Sequence, residues 1–130
     1  MGARDPVLTS YEIDSERRVI VVTVRGELRD EDFLEIHERL RTEPRLEPDF
    51  GLLIDLQGAT GRDVTIGGVQ NLIALPLLLS PKARRAIVVQ SDLGFGMSRM
   101  YELQRRDLTE TIGIFRDVDE AQRWLDEGGA

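Results

Sequence analysis

The sequence predicts an α/β domain whose five-stranded mixed sheet is mostly parallel, opens with an antiparallel hairpin and carries about four helices. Three observations lead there. Short apolar runs alternate with stretches of helical periodicity, and the order reads β-β-α-β-α-β-α-β-α. The nearly continuous run Val19-Ile20-Val21-Val22-Thr23-Val24 suits a strand covered on both faces. At 130 residues, with no internal repeat and no linker-like stretch, the chain has the size of one domain over residues 1–130.

Val7 to Ile13 and Val19 to Val24 read as strands, and Asp14-Ser15-Glu16-Arg17 between them supplies turn chemistry. Gly26 is expected to end the second strand. Asp30 is the expected N-cap of the first helix, with Glu31 and Asp32 placed well for the positive end of its dipole. Phe33, Ile36, His37 and Leu40 follow at helical spacing, and Pro44 and Pro48 prevent continuation past about Arg41. Leu52 to Leu56 reads as a buried third strand, followed by a loop at Gly58-Ala59-Thr60-Gly61. Asp63 or Thr65 can cap a second helix through Ile66, Val69, Leu72 and Ile73, which Pro76 kinks or stops. Ala86 to Val89 is the fourth strand. Ser91-Asp92 caps a third helix through Met97, Met100, Tyr101 and Leu108, and Ile112 to Phe115 is the fifth strand. Asp117 and Glu120 have capping-box spacing for a last helix that packs through Ala121, Trp124 and Leu125.

Composition narrows the function. A net charge of −7 opposes nucleic acid or an anionic membrane as the main partner. The absence of cysteine excludes disulfides, thiolate nucleophiles and Cys-ligated metal. The start has no apolar stretch of signal-peptide kind. The longest apolar run, Leu72 to Leu79, falls well short of the roughly 18 residues of a membrane span. A cytoplasmic protein without an integral membrane segment is expected.

Several local patterns carry a family resemblance. They are Gly26-Glu27-Leu28, Leu53-Ile54-Asp55-Leu56, Arg84-Arg85-Ala86-Ile87-Val88-Val89, Phe95-Gly96 with Arg99-Met100, and Phe115 followed by Glu120-Ala121 and Trp124-Leu125. In order and spacing the chain resembles the STAS fold of the bacterial SpoIIAA group of anti-anti-sigma factors, and more closely its SpoIIAA-like offshoot of small bacterial proteins. The resemblance implies a binding module rather than an enzyme. It also implies a candidate phosphosite, because anti-anti-sigma factors carry a Ser or Thr at the start of the helix after the third strand, in a pattern like Asp-Ser-Ser-Gly. Here Asp63-Val64-Thr65-Ile66-Gly67 matches the hydroxyl at Thr65 and departs from the pattern at Val64 and Ile66. Thr65 as a plain N-cap is the alternative role.

Catalytic chemistry finds little to work with. His37 is the one histidine and falls on or beside an apolar stripe, so no Ser–His–Asp set can be assembled. The acidic residues sit mainly at helix starts and on solvated faces, which predicts no metal site, and no cofactor is expected. Asp55, at the C-terminal end of a central strand, is the best-placed carboxylate, and bonding to loop amides around Gly58 is its favoured role. Gly94-Phe95-Gly96 lacks the third glycine and the lysine of a phosphate loop.

The run Leu72-Ile73-Ala74-Leu75-Pro76-Leu77-Leu78-Leu79 is apolar all round, whereas a surface helix needs one apolar stripe. Leu72, Leu75, Leu77 and Leu78, with Phe95, Met97, Met100 and Tyr101 of the next helix, are therefore predicted to line a site for an apolar small molecule or lipid between the second and third helices. Pro76 would hinge Leu77 to Leu79 as a lid. Deeper core packing or a homodimer patch explains the same pattern. SpoIIAA-like folds resemble lipid-carrying CRAL-TRIO domains, which favours the ligand reading. The alternative function is a protein–protein regulatory module that presents the second helix and the Thr60 to Thr65 segment to a partner.

Overall fold

Among the residues described by the computed structural model, 8–74, 78–80, 82–106 and 111–128, the predicted order of elements holds. It comprises β1 (Leu8–Asp14), β2 (Val19–Arg29), α1 (Asp30–Arg41), β3 (Gly51–Asp63), α2 (Ile66–Ala74), β4 (Arg84–Val88), α3 (Asp92–Arg106), β5 (Thr111–Phe115) and α4 (Val118–Gly128). The connection from β1 to β2 is tight because the Asp14 carboxylate accepts the Arg17 amide at 3.0 Å and Arg18 adopts a φ of 58°. Antiparallel pairing follows, from Leu8 opposite Arg25 to Asp14 opposite Val19.

The strands lie in the order β1-β2-β3-β4-β5, and β2 to β5 are mutually parallel. Sequential order has a direct consequence. Right-handed crossovers that always step in one direction place α1, α2 and α3 on a single face of the sheet. Strand alternation separates the two cores accordingly. Ile20, Val22, Val24, Leu28, Leu40, Phe50, Leu79 and Ala83 are buried on the α1 side, whereas Val19, Leu53, Ala86 and Val88 are buried with Ala121 and Leu125 of α4 on the other.

Two strands are longer than local reading predicts. Gly26 does not end β2, and 58–61 is strand rather than loop. Arg25 pairs with Gly58, Gly26 with Ala59, Glu27 with Thr60 and Arg29 with Asp63, with register shifts between Thr23 and Arg25 and between Glu27 and Arg29. Gly26 takes a φ of 96°, which a glycine tolerates without strain, and it stays paired between the two shifts instead of ending the strand. Each segment looks like a strand end alone and becomes strand because the other satisfies its backbone groups.

The start of α1 also differs. Arg29 occupies the N-cap position and its amide donates to Asp32 Oδ2 at 2.7 Å. Asp30, the expected cap, lies inside the helix and spends its carboxylate elsewhere. Beside this region Tyr11 of β1 donates to Glu43 Oε1 at 3.0 Å, tying the hairpin to the segment after α1. Hydrogen bonds from the Arg45 guanidinium and then its amide hold the Glu43 carboxyl down at about 2, and that carboxylate in turn raises the Tyr11 hydroxyl above its ordinary value.

Candidate functional site

Three helices share one face of the sheet and do not fill the space beneath them. A cavity of about 230 Å³ lies between that face and α1, α2 and α3. Its walls are the inward residues Ile20, Val22 and Val24 of β2 and Leu52, Ile54 and Leu56 of β3, opposed by Phe33, Ile36 and Leu40 of α1 and Val69 of α2.

Polar groups are confined to particular places on the wall. Arg85 is buried and donates from Nη1 to the carbonyls of Ala83 at 2.7 Å and Ser80 at 3.1 Å, and from Nη2 to that of Leu79 at 3.0 Å. The guanidinium thus folds the segment before β4 against the cavity, and carbonyl acceptors compensate its lost hydration. Ser98 is buried on the wall and His37 is half-buried with Nδ1 enclosed. Thr60, Gln90 and Ser91 also line the cavity yet are exposed, which locates its opening at the C-terminal ends of β3 and β4. Parallel sheets present ligands at that edge.

The residues singled out in the sequence are distributed as follows. Leu78 and Tyr101 both line the cavity. Leu72 falls in α2 and Met97 in α3, and their side chains lie outside the described residues, as do Leu75 and Leu77 altogether. Phe95 lies beneath the Arg116 guanidinium, 5.0 Å from ring centroid to cation, and Met100 is half-buried on α3 away from the lining. Leu79 is buried in the core, and the hinge expected at Pro76 lies outside the described residues. The strand and α1 walls are what sequence reasoning missed. Their alternating apolar residues mark a buried face without showing how far the helices stand from it.

Thr65 sits at the other notable place, the exposed tip of α2. Its hydroxyl accepts the Gly68 amide at 2.9 Å, which makes it the N-cap. The same hydroxyl donates to Asp30 Oδ2 at 2.6 Å, and the Thr65 amide donates to Asp30 Oδ1 at 2.9 Å. Asp30 therefore clasps the start of α1 to the start of α2, its carboxylate favoured by the positive end of the α2 dipole. Gly68 is required here, because a Cβ at that position would collide with the Asp30 carboxylate.

The remaining candidates have structural roles. Asp55 Oδ1 accepts the Gln57 amide at 3.0 Å, closer along the chain than the Gly58 region expected. Ser91 caps α3 by accepting the Gly94 amide at 2.9 Å, and Gly94 fits closely against Val89. Among the described residues no group of three or more His, Asp or Glu side chains is placed to hold a metal ion, and no helix is long and apolar enough to cross a membrane.

No family model matches the chain, and no curated protein matches it. Solved structures do. An uncharacterised Shewanella loihica protein with a SpoIIAA-like fold is similar at a TM-score of 0.64 and 18% identity, over 96% of this chain and 98% of that one. An anti-sigma factor antagonist from Mycobacterium paratuberculosis is similar at a TM-score of 0.57 and 20% identity, over 96% and 98%. With its antiparallel hairpin, its parallel strands in sequential order and three crossover helices on one face, the chain has the SpoIIAA-like fold of STAS type.

Proposed function

We propose that this chain is a non-enzymatic, cytoplasmic regulatory module that binds a protein partner through the tip of α2 and the adjoining 60–65 segment. The observation that carries the reading is the position of Thr65, which caps α2 while bonding Asp30 of α1. A chemical change at this hydroxyl is thereby felt by two helices at once. Thr65 is the phosphosite in this reading. A phosphate there would be drawn to the α2 amides and would repel the Asp30 carboxylate, opening the clasp. A solved protein of the same fold is an anti-sigma factor antagonist, so an anti-sigma factor is the partner class to seek.

Affinity capture with the wild-type protein should recover such a partner, and Thr65→Ser should retain it. Thr65→Glu should lose it. Undiminished capture by Thr65→Glu would remove the switch.

A second reading is favoured by the cavity: the module carries an apolar small molecule or lipid. Leu78 and Tyr101 would then contact the ligand together with the β2, β3 and α1 walls. Native mass spectrometry of protein taken from cells and gently desalted should show an apolar adduct. Repeated recovery of bare protein would count against this reading.

A further inference from the structure

Deepening the ligand reading, on which it rests, we propose that the cavity binds a flat aromatic compound with a hydroxyl or ring carbonyl on one edge, and that Ser98 of α3 hydrogen-bonds this group. Two polar side chains are buried among the described residues, Arg85 and Ser98, and both line the cavity. They differ in how they are satisfied. Arg85 gives its guanidinium to the carbonyls of Leu79, Ser80 and Ala83. Ser98, only 8% exposed, makes no hydrogen bond among the described residues. A serine within a helix ordinarily returns its hydroxyl to the carbonyl one turn back, here that of Gly94, and Ser98 does not.

A buried hydroxyl without a partner destabilises a fold relative to alanine, which also suits a helix better. The Ser98 hydroxyl gains its partner from an occupant of the cavity. Because it both donates and accepts, a phenol or a ring carbonyl pairs with it equally. Gly94, Ser98 and Tyr101 follow one another at spacings of four and three, so they share one face of α3, and all three line the cavity. That face is the polar wall, set beside a sheet that is apolar.

The sheet sets the shape. Val22, Ile54 and Ile87 are register partners across β2, β3 and β4 and all line the cavity, which makes a floor two strand spacings, or roughly 10 Å, across. Along β2 the lining runs from Ile20 through Val22 to Val24, roughly 13 Å. An apolar floor extended in both directions is covered by the face of a flat ring system while one ring edge meets α3. An alkyl chain covers one direction and loses rotational freedom about each of its bonds on binding.

The test is titration calorimetry of the whole protein at pH 7 with 2-naphthol, naphthalene and 1-octanol, on wild type and Ser98→Ala. Wild type should bind 2-naphthol about five- to tenfold more tightly than naphthalene, the worth of one hydrogen bond. Ser98→Ala should abolish that preference and leave naphthalene affinity within about twofold. It should also unfold at no lower urea concentration than wild type, since the free hydroxyl supports nothing in the fold. 1-Octanol should bind wild type at least about tenfold more weakly than 2-naphthol. Equal affinity for 2-naphthol and naphthalene would overturn the role of Ser98 and leave water as its partner, and a preference that survives Ser98→Ala would overturn it too. A lower urea midpoint for the variant would make the hydroxyl structural and overturn the same role. 1-Octanol binding as tightly as 2-naphthol would overturn the ring. Silence with all three compounds, with an adduct still present in native mass spectrometry, would overturn this assignment and leave the ligand reading intact; silence with bare protein would remove both.

Discussion

The two faces of the sheet draw on the same strands and the same residue types, yet they are packed differently. On one, α4 lies alone, and Val19, Leu53, Ala86 and Val88 close on Ala121 and Leu125 with every one of these side chains buried. On the other, α1, α2 and α3 lie together over Ile20, Val22, Val24 and their neighbours and leave about 230 Å³ unfilled. A single helix that presents alanine to alanine can settle close to the strands, and Trp124 and Phe115 seal its flank with their rings 5.4 Å apart. Three helices that share a face are also constrained by one another, and the Asp30 clasp between α1 and α2 fixes part of that spacing. The void therefore arises from crossover topology and from a polar contact between helices, and not from any shortage of apolar residues.

The comparison breaks most clearly under core truncation. Leu125→Ala should lower stability by about 2 to 5 kcal/mol, because a tightly filled site relaxes little. Urea unfolding with matched m-values would measure it. Enlargement should separate the faces by sign. Ala86→Leu, against α4, should cost about 1 to 3 kcal/mol by overpacking. Val22→Leu, facing the cavity, should be neutral or stabilising by about 0.5 to 2 kcal/mol. Equal losses from both substitutions would contradict the difference in packing.

The clasp should contribute less. Thr65→Ala removes the α2 cap and should cost about 0.5 to 2 kcal/mol in thermal or chemical unfolding. Asp30→Asn keeps the shape, removes the charge at the α2 terminus and should cost less than Thr65→Ala. The smallest effect is expected at Glu43, outside both faces. Its folded pKa of about 2 lies below the ordinary value of about 4.3, so its stabilisation is present above pH 4.3 and disappears as the pH falls through 2. The stability gap between wild type and Glu43→Gln should accordingly narrow across that interval. A gap that does not change with pH would mean the carboxylate is not held down as described.

The closely packed face was the more legible in the sequence. Ala121, Trp124 and Leu125 at helical spacing identify the buried side of α4. On the other face only the caps at Thr65 and Ser91 follow from residue type. What the sequence hides lies far apart along the chain. Gly26 extends β2 because Ala59 pairs with it, and Asp30 leaves its expected cap role for a threonine 35 residues on. Neither contact is encoded by local spacing. The apolar run at Leu72 to Leu79 raised the expectation of a site between α2 and α3, and of that run Leu78 and Leu79 line the cavity. Periodicity gives which faces are apolar and says nothing of the distance between them, so the α1 and strand walls emerge only in three dimensions.

Xenon applied to methyl-labelled protein and followed by NMR tests the difference between the faces most directly, since xenon enters dry apolar cavities. The methyl groups of Val22, Val24, Ile36 and Ile54 should shift in a saturable manner while those of Leu53, Val88 and Leu125 stay still. Equal response on both sides of the sheet, or none on the α1 side, would contradict the account.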